Sequence, residues 1–136
     1  MSSPRIEVDL SKIRHNTQKG AGHLNLSSIG VTGVTKAVCW HPAIAQAMLG
    51  GGAEGLAYSR LSNVKRLRKA GMTCPITLIR TPMFSQADQI VKFCETSYNT
   101  EIVVIAALAT AAICRDTVHG IILMVEMGDQ REGIFA

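Results

Sequence analysis

Aromatic side chains are scarce in this sequence: three Phe, two Tyr and one Trp among 136 residues. Proteins that grip unpaired nucleic acid stack bases on aromatics set among basic groups, and this chain has too few to build such platforms. Charge of one sign is also thin, with a formal balance of only +4. Arg60, Lys65, Arg66, Arg68 and Lys69 do cluster, but they fall on one expected helix with no aromatic between them, as on a solvated outer face. Nucleic acid is therefore not an expected partner. No apolar run reaches the roughly 20 residues of a membrane helix. The longest, Ile102 to Cys114, is broken by Thr110, so no membrane association is expected. The four cysteines, Cys39, Cys74, Cys94 and Cys114, show no CxxC spacing, and nothing ahead of them resembles a secretory signal. That pattern argues against a cysteine metal site and for reduced, mostly buried thiols in a cytoplasmic protein.

What is present is an ordinary globular balance, 47% hydrophobic and 18% charged, enough for one core. After a short extended segment, Arg5 to Val8, Asp9 is placed to cap a helix from Leu10 to about Lys19. The apolar, β-branched residues Ile29, Val31 and Val34 then form a strand ending at Thr35-Lys36. Pro42 suits the first turn of a helix that Gly50-Gly51-Gly52 stops. The pattern repeats with a strand from Gly55 to Ser59, a helix from Leu61 to Ala70 closed by Gly71, and a strand from Pro75 to Arg80. A helix from Ser85 to Cys94 follows, where Ser85 and Asp88 approximate a capping box. A weak strand spans Thr96 to Tyr98, and Asn99 is positioned to cap a long helix to about Arg115. Last comes Val118 to Met127, whose apolar run reads as a strand buried on both faces. Five strands alternating with helices at intervals of about 20 to 25 residues specify an α/β fold with a parallel sheet. Length alone suits a flavodoxin-like open sheet better than a (β/α)8 barrel, which takes about 250 residues. The chain nevertheless stops just after a strand, without the helix that should cover it, as a cut fold would.

Two local features invite a chemical reading. Gly50-x-Gly52-x-x-Gly55 has the lettering of a dinucleotide fingerprint, but here the glycines close a helix and enter a strand, the reverse of the context that the fingerprint requires. A helix stop and tight turn explain them better. Lys36 ends an apolar strand, so its amine emerges at the carboxyl end of a parallel sheet, where α/β proteins place their sites. An amine partly withdrawn from water there is a nucleophile for Schiff-base chemistry. By position alone it reads more readily as a surface lysine at a strand end.

The segment Pro4-Arg-Ile-Glu-Val-Asp-Leu-Ser-Lys-Ile-Arg-His-Asn16 resembles the opening of the alanine-racemase-like, pyridoxal-phosphate-dependent family. Gly33-Val-Thr-Lys36 resembles the strand end that carries the cofactor lysine of that family. Tyr58-Ser-Arg60, Leu78-Ile-Arg-Thr-Pro-Met83, Asn99-Thr-Glu101 and the stretch Leu123 to Ile134 are similar to its ornithine-racemase branch, in the same order and each at an expected strand end. The match runs over essentially the whole chain.

The resemblance implies that residues 1–136 are the first part, about five β/α units, of a pyridoxal-phosphate-binding (β/α)8 TIM barrel. It implies an amino-acid racemase whose cofactor is pyridoxal 5'-phosphate, whose substrate is a small amino acid and which as a full-length protein is a homodimer. Lys36 matches the Schiff-base lysine, which also moves the α-proton on one face of the substrate. Arg131 matches an arginine near the cofactor's phenolic oxygen and the substrate carboxylate, a task suited to a fork of permanent charge. Trp40 stands where alanine racemases carry a phosphate-binding tyrosine, and it can donate only through its indole nitrogen. Ser59, Arg60, Arg80 and Asn99 are further strand-end candidates for the pocket, though each also suits a helix cap or a loop pair. The second base and most phosphate donors belong, by the same resemblance, to later strands or a following domain. Two other readings remain: a regulatory barrel that binds the cofactor without racemising, and a complete five-strand nucleotide-binding or signalling module. The Gly128-Asp-Gln-Arg-Glu-Gly133 turn argues against the first, and the lack of an acidic cluster or Gly-rich turn after strand one argues against the second.

Overall fold

The structure is a computed structural model that describes residues 5–36, 41–128, 130 and 133–135. The chain opens with helix α1, Leu10–Asn25, whose first amides at Ser11 and Lys12 are accepted by the Asp9 carboxylate at 2.9 and 3.2 Å. It runs past the expected end near Lys19 because its last turns pack on α2, Pro42–Gly50. Arg14 Nε donates to the Gly50 carbonyl at 3.1 Å, and a Cβ on Gly51 would lie 2.6 Å from the Arg14 carbonyl oxygen. Buried Ala21 sits at the same crossing, so tertiary packing outweighs the helix-weakening effect of Gly20 and Gly22.

Between and beyond these helices the elements alternate as expected: β1 Thr32–Val34, β2 Gly55–Tyr58, α3 Leu61–Lys69, β3 Ile76–Leu78, α4 Ala87–Phe93, β4 Thr96–Asn99, α5 Ile102–Cys114 and β5 Gly120–Leu123. All five strands are parallel and lie in the order β1-β2-β3-β4-β5. That order separates the two architectures that length left open. A doubly wound open sheet reverses direction at a switch point and puts helices on both faces, whereas strictly sequential right-handed crossovers put every helix on one face. The sheet is thus an arc of a barrel wall, and the open-sheet module is set aside.

Strand alternation divides the side chains between two faces. Leu56, Tyr58, Ile76 and Leu78 join Leu61, Val64, Leu67, Ile90, Val104 and Leu108 in the core beneath the helices. The opposite face carries Thr32, Val34, Ala57, Thr77, Ile79, Tyr98 and Ile122. Strand β5 departs from the expectation of burial on both faces, since Ile121, Ile122 and Leu123 are 38%, 40% and 50% exposed. It pairs only with β4, and no helix follows it among the described residues.

Other local expectations are corrected. Ser85 caps nothing: the segment opens as a 3-10 turn, Phe84–Gln86, and Asp88 instead forms a two-pronged pair with Arg115 at 2.8 and 2.9 Å, which holds its carboxyl below the usual range. Asn99 does not cap α5. It is the last residue of β4, paired in register with Leu123, and Glu101 takes the cap position. Arg68 is not a solvated member of the basic cluster: its guanidinium reaches the carbonyls of Met72, Cys74 and Phe93 and the Glu95 carboxylate, all within 3.1 Å. Cys94 is buried, and desolvation pushes its thiol up to about 12, but Cys74 is half-buried and Cys114 exposed, so among the described cysteines the expected burial holds for Cys94 alone; Cys39 lies outside the described residues. Among the described residues, no helix is long and apolar enough to cross a membrane.

Candidate active site

The carboxyl ends of the five strands converge on a cavity of about 550 Å³. Its polar lining is Lys36 just after β1, Ser59 after β2, Arg80 after β3 and Tyr98 on β4. Val34, Ile79 and Met124 supply apolar walls. Every strand end therefore contributes, as the sheet topology requires of a barrel-type site. Lys36 is exposed, so the partial burial expected of its amine is absent in this structure. The chain that leads to it is fixed, however. Thr35 is buried and donates from Oγ1 to the Tyr58 hydroxyl at 2.8 Å, and burial pushes the Tyr58 phenol up. This bond ties the end of β1 to the end of β2 one residue before Lys36.

A side cavity of about 280 Å³ opens beside the first and shares Ser59 and Arg80 with it. Its other polar lining is Arg60, Ser62, Thr81 and Gln86. Among the described residues, neither lining includes a carboxylate.

The structure thus brings together three of the expected residues, Lys36, Ser59 and Arg80, with Arg60 next to them. Asn99 lies elsewhere. It is fully buried on the helix-facing side of β4, where its Nδ2 donates to the Ser97 carbonyl and hydroxyl and its Oδ1 finds no partner among the described residues. Its neighbour Tyr98 faces the cavity instead, and sequence reasoning missed it because the expected strand end fell one residue short. Since side chains alternate between faces, such a shift exchanges pocket for core. Trp40 and Arg131 lie outside the described residues. The chain approaching Arg131 is nonetheless defined: Val125 bridges Ile134, Glu126 accepts from the Gly128 and Gln130 amides, and Gly133 has φ +152° where a Cβ would fall 2.5 Å from the Glu126 nitrogen.

The cavity's donors are all of one kind. Among the described residues, an amine, a guanidinium, a hydroxyl and a phenol line the space and no carboxylate does, which suits an anionic aldehyde such as pyridoxal phosphate. The family model for the alanine racemase N-terminal domain matches residues 8–136. The chain belongs to that family. Among its relatives, the ornithine racemase of Acetoanaerobium sticklandii is 30% identical over 132 residues, 97% of this chain and 37% of the relative. The lysine racemase of Thermotoga maritima is 31% identical over 137 residues, 99% of this chain and 38% of the relative. The chain therefore spans little more than a third of the curated relatives it matches. Among solved structures, D-threonine aldolase from Filomicrobium marinum superposes with a TM-score of 0.84 at 18% identity, over 98% of this chain and 37% of that one. Alanine racemase from E. faecalis gives 0.75 at 23%, over 93% and 35%. These likenesses confirm the alanine-racemase barrel fold. An aldolase and a racemase on one fold also show that the reaction is set by the site rather than the scaffold.

Proposed function

We propose that this chain is the first part of a pyridoxal-phosphate-binding barrel domain, and that the whole protein is an amino-acid racemase in which Lys36 carries the cofactor. The observation that supports this most is the placement of Lys36 at the mouth of the cavity that all five strand ends form. Bound there, pyridoxal phosphate would supply the electron sink that makes the substrate Cα proton acidic. Lys36 Nζ then takes or returns that proton on its own face of the substrate. Arg80 holds an anionic group against the rim, where a guanidinium offers a donor fork. Tyr98 and Ser59 orient by neutral hydrogen bonds, and Val34, Ile79 and Met124 keep water from the reacting face. Arg131 keeps the role that the resemblance implies, beside the substrate carboxylate. The opposite-face base comes from outside these residues.

The substrate is a small amino acid, and the names of the relatives make ornithine, lysine and alanine the first to try. The protein is cytoplasmic, a homodimer at full length, and without a nucleic-acid partner in this reading. The test is to incubate the full-length protein with single enantiomers of these amino acids and resolve the products by chiral chromatography. Interconversion that disappears in Lys36→Ala supports the proposal. Tight cofactor binding without interconversion of any amino acid favours the non-catalytic regulatory barrel.

A further inference from the structure

Most described arginines are engaged. Arg5 pairs with Glu7, Arg14 with the Gly50 carbonyl, Arg68 with Glu95 and three carbonyls, Arg115 with Asp88, and Arg66 also has a partner. Arg60 and Arg80 differ. Both are exposed, neither guanidinium has a hydrogen bond or ion pair to a described residue, and both line the same side cavity. Two fixed positive charges sharing a concave space repel each other unless an anion sits between them. The remaining described polar lining, Ser59, Ser62, Thr81 and Gln86, adds neutral donors, and no carboxylate among the described residues of the lining competes for the guanidiniums. An ammonium would find no counter-charge among the described residues of this lining. A planar or tetrahedral oxyanion would find two donor forks.

We propose that this side cavity is an oxyanion subsite, in which Arg60 and Arg80 hold the carboxylate or phosphate of a small molecule bound beside Lys36. Its place next to the reacting group rests on the reading of the Lys36 cavity given above. Arg80, shared by both cavities, links the subsite to the reaction space, whereas Arg60 belongs to the subsite alone. The oxyanion has two sources, the substrate's carboxylate and the cofactor's phosphate, and the two are separable by experiment.

The test uses the cofactor-loaded full-length protein and the variants Arg60→Gln, Arg80→Gln and Lys69→Gln, the last removing an equal charge from the outer face of α3. Both arginines are exposed, so the variants should melt as the parent does. Affinity for glutarate and inorganic phosphate is read by titration calorimetry, and cofactor retention by absorbance after dialysis. A loss of about 10-fold in glutarate affinity in both arginine variants, absent in Lys69→Gln, supports the subsite and assigns it to a carboxylate. An equivalent loss in cofactor retention, with glutarate unaffected, supports it and assigns it to the phosphate. Unchanged affinity and retention in both arginine variants overturns the proposal, as does an equal loss in Lys69→Gln. If Lys36 never takes up the cofactor but phosphate binding still weakens in Arg60→Gln, the racemase reading fails while the subsite stands.

Discussion

Thr35 Oγ1 donates to the Tyr58 hydroxyl at 2.8 Å with both residues shut away from solvent, and the next residue along the chain is Lys36. Parallel strands are joined here by a side-chain bond at the point where the backbone ladder of β1 ends. Tyr58→Phe should leave the Thr35 hydroxyl buried and unpaired, costing about 1–2 kcal/mol, while Tyr58→Phe with Thr35→Val removes both partners and recovers most of the loss. Urea unfolding midpoints of the two variants check this, and an unshifted midpoint in the single variant contradicts it.

Arg68 joins α3, the loop before β3 and the end of α4 through one guanidinium. Arg68→Ala should destabilise by about 3 kcal/mol, because it strands several carbonyls together with the partly buried Glu95 contact to the Ile76 amide. Arg68→Lys restores the charge but not the fan of donors and should recover less than half of the loss in a denaturant melt.

His119 is held at both ring nitrogens, by the Cys94 carbonyl at 3.1 Å and the Ser97 hydroxyl at 2.8 Å. A carbonyl only accepts, so Nδ1 carries the hydrogen and neutral Nε2 accepts from Ser97, which itself accepts from Asn99 Nδ2 at 3.0 Å. Burial, outweighing the Cys94 carbonyl and the Glu95 charge, pushes the imidazole below its ordinary 6.5. The unfolded chain therefore binds the proton first. The stability this group contributes is complete above the unfolded value and is lost as pH falls from there through the folded one. Comparing unfolding midpoints at about pH 7.5 and about pH 5, His119→Gln should show a smaller drop than the parent. An equal drop would mean that His119 does not carry the effect.

The alternation of elements was legible because Asp9, Pro42 and the glycines at 50–52 and 71 mark boundaries by local chemistry, whereas Gly20 and Gly22, inside α1, were overridden by tertiary packing. Strand order was not legible from composition and periodicity, which cannot say whether successive crossovers turn the same way; the resemblance alone pointed to the sequential order of a barrel. Asn99 and Tyr98 show a second limit: parity along a strand decides pocket or core, and a boundary uncertain by one residue reverses it. Arg68 shows a third. Nothing in a run of basic residues marks the one whose stem points inward to stranded carbonyls.

The sheet ends at β1 and β5 with edges unpaired among the described residues, and Val34, Ile121, Ile122 and Leu123 are 38–50% exposed. Such edges recruit other strands. Residues 1–136 expressed alone should run as oligomers or precipitate on size-exclusion chromatography and should hold pyridoxal phosphate weakly. A monomer that melts cooperatively contradicts this.

The central claim, that Lys36 carries the cofactor, is tested most directly by reducing the pyridoxal-phosphate-loaded full-length protein with borohydride and mapping the labelled peptide by mass spectrometry. The account predicts a pyridoxyl group on Lys36 and none in Lys36→Ala. A label on any other lysine, or an unlabelled Lys36 in protein that retains the cofactor, would contradict it.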